Sequence, residues 1–215
     1  MATDGPTTLG QAARFFWAKP TPKLIAGYCA AALALRIRSG DLAATEVLVP
    51  LAVLALEPFI EWVIHVVVLH WKPRTVAGHT FDLYAGREHR RHHADPRNLH
   101  ILFVPFRLLV IQVPVLMALG VVLLPHGYGL TLAASAMAML LTYEWTHFLV
   151  HSPYQPRSRW YRARWRAHRL HHFRNEHYWF GVTVNLADHV LGTFPEKAAV
   201  ELSATVRTLG VGADA

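Results

Sequence analysis

Ten histidines fall into four tight groups along the chain: His65 and His70; His89, His92 and His93; His147 and His151; His168, His171 and His172. Neutral imidazole is the commonest protein metal ligand. On a helix, positions i, i+3 and i+4 share one face. Each HxxHH therefore predicts three imidazoles directed at one point, and His147-x3-His151 predicts two. His65 and His70 stand about 140° apart on an ideal helix, so they converge only where the helix ends or distorts. Ten uncoordinated neutral rings gain little from crowding, and ten protonated rings repel. Ten ligands exceed what one first-row ion uses, so the pattern predicts two ions, with some of the ten in outer positions. Imidazole suits zinc, copper, iron and nickel alike. The excess over the four ligands of structural zinc points to larger coordination shells. A redox metal beside a bilayer would suit activation of dioxygen against an inert hydrocarbon.

Other polar residues share faces with these ligands. Tyr143 and Glu144 lie on the helical stripe of His147 and His151, where Glu144 would accept a hydrogen bond from a ligand ring or a metal-bound water. Glu57 and Glu61 precede His65 on one face, and a carboxylate within an apolar span is costly enough to mark function or a structural pair. Tyr161, Trp165, His168 and His172 form one stripe, predicted to face the site. Arg159, Arg162, Arg166 and Arg169 form another, suited to lipid headgroups, to an acidic electron donor, or simply to solvent. Asp188 follows in a more apolar stretch and is a candidate to support a ligand. His79, His100, His126, His177 and His189 stand alone and read as polar surface. The single cysteine, Cys29, lies in an apolar run and excludes a disulfide framework, a CxxC pair and a cysteine-bound metal site.

The elements that must position these groups are apolar. Of 215 residues, 53% are hydrophobic and 16% charged, against about 25% charged in average soluble chains. Three segments are long enough to span a bilayer: Glu46 to Trp71, Ile101 to Leu124, and Gly127 to His151. Leu24 to Leu35 is shorter and reads as a fourth span completed by its flanks. Phe15, Phe16, Trp17 and Lys19 before it read as an interfacial anchor, and no secretory signal pattern precedes them. The tight His126–Gly127 turn makes the last two long segments a hairpin, so the polar stretches on either side of it face one side of the membrane. One stretch carries Lys72, Arg74, Arg87, Arg90, Arg91 and Arg97; the other carries Arg157, Arg159, Arg162, Arg164, Arg166, Arg169 and Arg174. Both are predicted to be cytoplasmic. That rule accounts for the formal charge of +7 without nucleic acid. The expected architecture is all-α and integral to the membrane, with about four transmembrane helices in two hairpins and a cytosolic helical cap holding a di-metal histidine site. Residues 1–23 form an N-terminal interfacial segment, 24–200 the membrane catalytic domain and 201–215 a C-terminal tail.

The run from His65-x4-His70 through EHRRHH (His89, His92, His93), EWTHFLVH (His147, His151), HRLHH (His168, His171, His172) and FGVTVNLADHVLGT (Asp188) resembles the fatty acid hydroxylase/sterol desaturase superfamily. Within it, the fatty acid 2-hydroxylases are the nearest match. The resemblance covers roughly Glu61 to Thr193. It implies that all ten histidines belong to the metal set, and that Tyr143, Glu144 and Asp188 line or support the site; Glu144 stands where an aspartate is common. It implies two iron ions (replaceable by zinc in purified protein), O2 as cosubstrate, a lipid substrate and hydroxylation of a C–H bond. Some members carry a fused cytochrome b5 domain, which about 23 residues before the first apolar run would not hold. A separate ferredoxin- or cytochrome b5-type donor with its reductase is therefore expected. Sterol and carotenoid hydroxylases and desaturases share the superfamily, so substrate and outcome stay open at this point. A histidine-rich metal transporter is the reading from a different class, but it would place ionisable residues along a path through the bilayer midplane. A zinc hydrolase would call for HExxH, which does not occur. Sequence leaves the oligomeric state open.

Overall fold

The computed structural model describes residues 5–125 and 127–212; His126 of the expected turn lies outside them. The chain is mainly helical: α1 (Leu9–Ala18), α2 (Pro20–Ser39), α3 (Leu48–Val63), α4 (Tyr84–Ala94), α5 (Phe106–Leu123), α6 (Tyr128–His151), α7 (Arg159–Phe173) and the short α8 (Leu186–Val190). One feature departs from an all-α fold. Arg74–Val76 (β1) and His79–Phe81 (β2) pair antiparallel around Ala77 and Gly78, both at positive φ. That two-residue turn is the type whose twist matches a hairpin. It escapes a helical reading because Pro73 precedes it and Gly78 sits in its turn.

Two helical stretches among the described residues are long and apolar enough to cross a membrane, Ala44–Leu69 and Phe106–Leu123, with mean hydropathy of 2.0 and 2.3. Only 11% of either apolar window is buried. A core helix of a soluble protein would hide that surface, whereas here Leu54, Ile60, Val110, Ile111, Leu116 and Val122 stand bare. The expected second span begins five residues later than its hydropathy, because Pro105 initiates the helix rather than continuing it. The short apolar run from Leu24 lies inside a 20-residue helix, about 30 Å long at helical rise.

The chain divides into two compact units. The first comprises the stretch ending at Ala12, Pro58–Leu102 and the chain from Thr146 onward; it contains every clustered histidine. The second comprises Ala13–Glu57 and Phe103–Trp145. Its core is Ile25, Leu109 and Met137, with Leu24, Tyr28 and Cys29 packed alongside. Cys29 is a free thiol whose Sγ lies 3.4 Å from the Ala134 carbonyl, a packing role. Phe16 departs from the expected lipid-facing anchor. It is fully buried between Phe103 and Trp145, and only Trp17 beside it is exposed. At the opposite end of α2, the buried Arg36 donates to Glu46 and Asp41, and Thr131 also donates to Glu46. This ties α2, the turn before α3 and the start of α6 together. Gly129 meets the Gly120 carbonyl so closely that a Cβ there would collide with backbone, so the α5–α6 hairpin closes on two glycines.

Candidate metal centre

The end of α3 solves the problem posed by His65 and His70. From Ile64 to Leu69 the helix widens into a π-helical turn, and the His70 N–H donates to the His65 carbonyl at 3.0 Å. This i→i+5 pattern brings residues five apart onto one side, and the two rings lie 4.9 Å apart between centroids. α4 then approaches the π turn closely at Gly86, where a Cβ would sit 3.1 Å from both the Val68 carbonyl and the Trp71 side chain. One turn later, His89 reaches His65, Nε2 to Nε2 at 3.2 Å. Arg90 holds this arrangement by donating to the Trp71 carbonyl at 2.8 Å and to Asp82 at 2.6 Å. The Ser158 side chain caps the start of α7. His168 and His172 are buried, with Tyr161 and Trp165 half-buried on the same stripe, while Arg159, Arg162 and Arg166 face outward. The site-facing stripe is thus on the expected side of α7.

All ten histidines gather, but in two clusters. His65, His70, His89, His93 and His171 form the first; His92, His147, His151, His168 and His172 form the second. In each, one ligand nitrogen per residue lies within 4.8 Å of all the others. This corrects the expectation that each HxxHH aims at a single point. His89 and His93 go to the first cluster and His92 to the second, whereas His168 and His172 go to the second and His171 to the first. On a helix, i+3 and i+4 are about 100° apart, enough to serve two centres lying side by side. Each cluster therefore takes a span-end pair, the i/i+4 pair of the box that follows it, and the middle histidine of the other box.

The tautomers of His65, His93, His151 and His171 can be read from their outer hydrogen bonds. His65 Nδ1 donates to the Phe180 carbonyl at 2.7 Å, His93 Nδ1 to Val206 at 3.0 Å and His171 Nδ1 to Tyr178 at 2.8 Å. In the second cluster, His151 Nδ1 donates to Pro96 at 2.7 Å, and His147 bonds the Leu102 backbone. A proton committed at Nδ1 leaves Nε2 as a bare lone pair, the ligand form. His93 and His171 both satisfy this condition, and their Nε2 atoms face each other at 3.2 Å. Two lone pairs at that distance repel unless a cation lies between them. Protonation is no alternative: burial lowers His93 to about 3 and holds His89, His92, His168, His171 and His172 well below the ordinary histidine value. His70 Nε2 is also buried without a partner among the described residues. Neighbouring Nε2 atoms stand 2.9–3.2 Å apart. At metal–nitrogen bonds of about 2.1 Å, ligands at right angles lie ~3.0 Å apart and tetrahedral ones ~3.4 Å apart. The donor sets fit metal ions with more than four ligands.

The remaining expected residues behave differently from one another. Asp188 is fully buried and accepts from the Phe180 and Gly181 N–H groups, the Asn185 amide and the Thr193 hydroxyl. Its oxygens are spent on building the loop whose Phe180 carbonyl orients His65. Glu61 performs a parallel task, accepting from Val182 N–H and from the N–H and hydroxyl of Thr183. Tyr143 and Glu144 lie in the second unit, one turn before His147 on α6. Glu144 Oε1 accepts from Val104 N–H at 2.9 Å, and Oε2 is buried with no partner among the described residues. His79, His100, His177 and His189 are exposed and belong to neither cluster. Sequence reasoning missed the carbonyls of Pro96, Tyr178, Phe180 and Val206. Every residue has a carbonyl, so no residue type could have flagged them.

The sequence profile of the fatty acid hydroxylases matches residues 50–193, a stretch that holds all ten clustered histidines and Asp188. The chain belongs to the fatty acid hydroxylase family. Among its relatives, the human fatty acid 2-hydroxylase is 30% identical over 146 residues, covering 64% of this chain and 37% of that protein. A macaque fatty acid 2-hydroxylase matches to the same extent. The dihydroceramide fatty acyl 2-hydroxylase of Arabidopsis thaliana is 28% identical over 141 residues, 66% of this chain and 58% of that protein. The chain thus spans little more than a third of the length of the primate relatives it matches. No solved structure matches it significantly. Family membership and the two bare apolar helices together make it a membrane-associated protein.

Proposed function

We propose that this member of the fatty acid hydroxylase family is an O2-dependent di-iron monooxygenase acting on the acyl chain of a membrane fatty acid or fatty-acyl lipid. The observation that carries the reading is the pair of five-histidine clusters with facing, proton-free Nε2 atoms in a buried site. Two iron ions, when bound there, supply the redox chemistry for activating O2 against a C–H bond. Overall, one oxygen atom enters the C–H bond and the other leaves as water, with two electrons and two protons supplied from outside the chain. A separate ferredoxin- or cytochrome b5-type donor would deliver the electrons. The ten histidines would hold the ions, and the carbonyls behind His65, His93, His151 and His171 fix which nitrogen those four offer. Their burial keeps bulk water away. On α6, one turn before His147, Glu144 Oε2 has no partner among the described residues and could exchange a hydrogen bond.

In the bilayer, α2 and α6, at 20 and 24 residues, would join the two apolar helices as four spans in two hairpins. The basic stretches around α4 and α7 would then lie in the cytoplasm with the metal site. Lipid mass spectrometry on cells expressing the chain under ¹⁸O₂, beside a His171→Ala control, tests the function. A lipid heavier by one labelled oxygen and absent from the control is expected, and its fragments identify the position attacked. Loss of two hydrogens without label would convert the reading to desaturation. An unchanged lipidome with iron bound and a reductase supplied would overturn it.

A further inference from the structure

Between the two carbonyls that orient His171 and His65 lies a single residue, Trp179, whose backbone is left-handed at φ 57°. A bulky side chain occupies that region only where its surroundings impose it, and such imposed conformations gather at functional sites. Here three contacts impose it. The Trp179 N–H donates to the Thr193 carbonyl at 2.8 Å, and its indole N–H donates to the Pro195 carbonyl at 3.2 Å. The ring itself is 1% exposed and packs with Ala167, Val200, Leu170 and Phe194. The two histidines it serves arrive from different elements, His65 from the π turn and His171 from α7, yet both belong to the first cluster. The second cluster draws its acceptors from Pro96 and Leu102 and owes nothing to this turn.

We propose that Trp179 is a positioning residue for the first metal cluster alone: its wedged indole holds the left-handed turn that points the Tyr178 and Phe180 carbonyls at His171 and His65. The assignment rests on the reading that both clusters bind metal. Loss of the wedge frees the turn, the two rings lose their fixed tautomer and direction, and only the first ion is released.

The test measures metal per chain and iron dissociation constants on full-length protein in detergent, with folding followed by circular dichroism. Wild type is expected to hold two ions. Trp179→Ala should keep one, with the constant for the other raised at least tenfold. Phe194→Ala, which removes packing from the same indole but no backbone constraint, should keep two. Adding Trp179→Ala to His171→Ala should change nothing further, whereas adding it to His92→Ala should leave no tightly held ion. If Trp179→Ala does not fold, Trp179→Phe, lacking the indole N–H, should show the same selectivity with a smaller shift. Two ions at wild-type affinity in a folded Trp179 variant, or equal weakening of both, would overturn the assignment while leaving the metal centre intact. A wild type without two ions, or a His171→Ala variant that keeps both, would overturn the metal-centre reading and this assignment with it.

Discussion

The two histidine clusters are built to one plan and secured by different parts of the chain. Each has a span-end pair, an i/i+4 pair and one ring from the other box. The first is backed by carbonyls at 178, 180 and 206, and its member His70 is only half-buried. The second is backed by residues 96 and 102, in the short link between α4 and α5, and all five of its rings are buried. Identical ligand chemistry can therefore sit on supports of unequal strength. One centre depends on a long loop and the C-terminal segment, the other on a link fixed at both ends by helices. The two ions should differ in affinity and exchange although every ligand is an imidazole.

The largest effect should come from the ligands themselves. His171→Ala and His92→Ala should each cost more than about 100-fold in turnover, but each should remove a different ion, as metal analysis of the two variants and their double would show. Simultaneous loss of both ions from either variant would mean one coupled centre, and the comparison would break. Next, Asp188→Ala leaves buried donors at Phe180, Gly181 and Thr193 unsatisfied. It should cost about 3 kcal/mol of stability, seen in thermal unfolding, and weaken the first ion only. Ending the chain after Leu202 removes the Val206 carbonyl behind His93 and the Arg207 contact to the His93 carbonyl. The expected loss is roughly 1.4 kcal/mol of affinity, or tenfold, at the first cluster. Equal loss at both clusters in titration would count against separate supports.

Smaller effects sharpen the same contrast. A chelator should strip the first cluster, with its half-buried His70, several-fold faster than the second, so metal release should be biphasic. Acid should hardly distinguish them, since each has three histidines outside the spans with values lowered by burial. In metal-free protein the unfolded chain takes up protons below about pH 6.5, while folded His93 waits until about 3. Stability is then full above pH 6.5 and falls as pH drops from there toward 3. Denaturant midpoints at pH 7.5 and 5.5 should show that decline as a single transition of the histidine unit.

How much of this was legible varies with the kind of interaction. Histidine spacing named all ten clustered residues, because helical periodicity turns spacing directly into facing. The five-residue gap between His65 and His70 correctly flagged a distorted helix, which proved to be a π turn. Periodicity misled where it was applied to one helix in isolation. His92 and His171 leave their own boxes because a second centre lies on their side. Phe16 looked like an anchor because hydropathy cannot tell a lipid-facing ring from one packed between Phe103 and Trp145. Glu61 and Asp188 stood out as buried acids, but which donors they would meet in residues 180–193 depends on a loop without periodic signal.

The sequence by itself determined the chemistry available: imidazoles in the right number, apolar helices to carry them, and basic flanks. Those are local properties, set by residue type and spacing. Only the tertiary structure decided how the ten rings are shared, which nitrogen His65, His93, His151 and His171 offer, and that the first cluster takes its outer acceptors from residues 178, 180 and 206. These depend on backbone carbonyls and on contacts between segments more than a hundred residues apart, such as His65 with Phe180 and His93 with Val206. A carbonyl is common to every residue, so its role appears only once the chain has folded around the site.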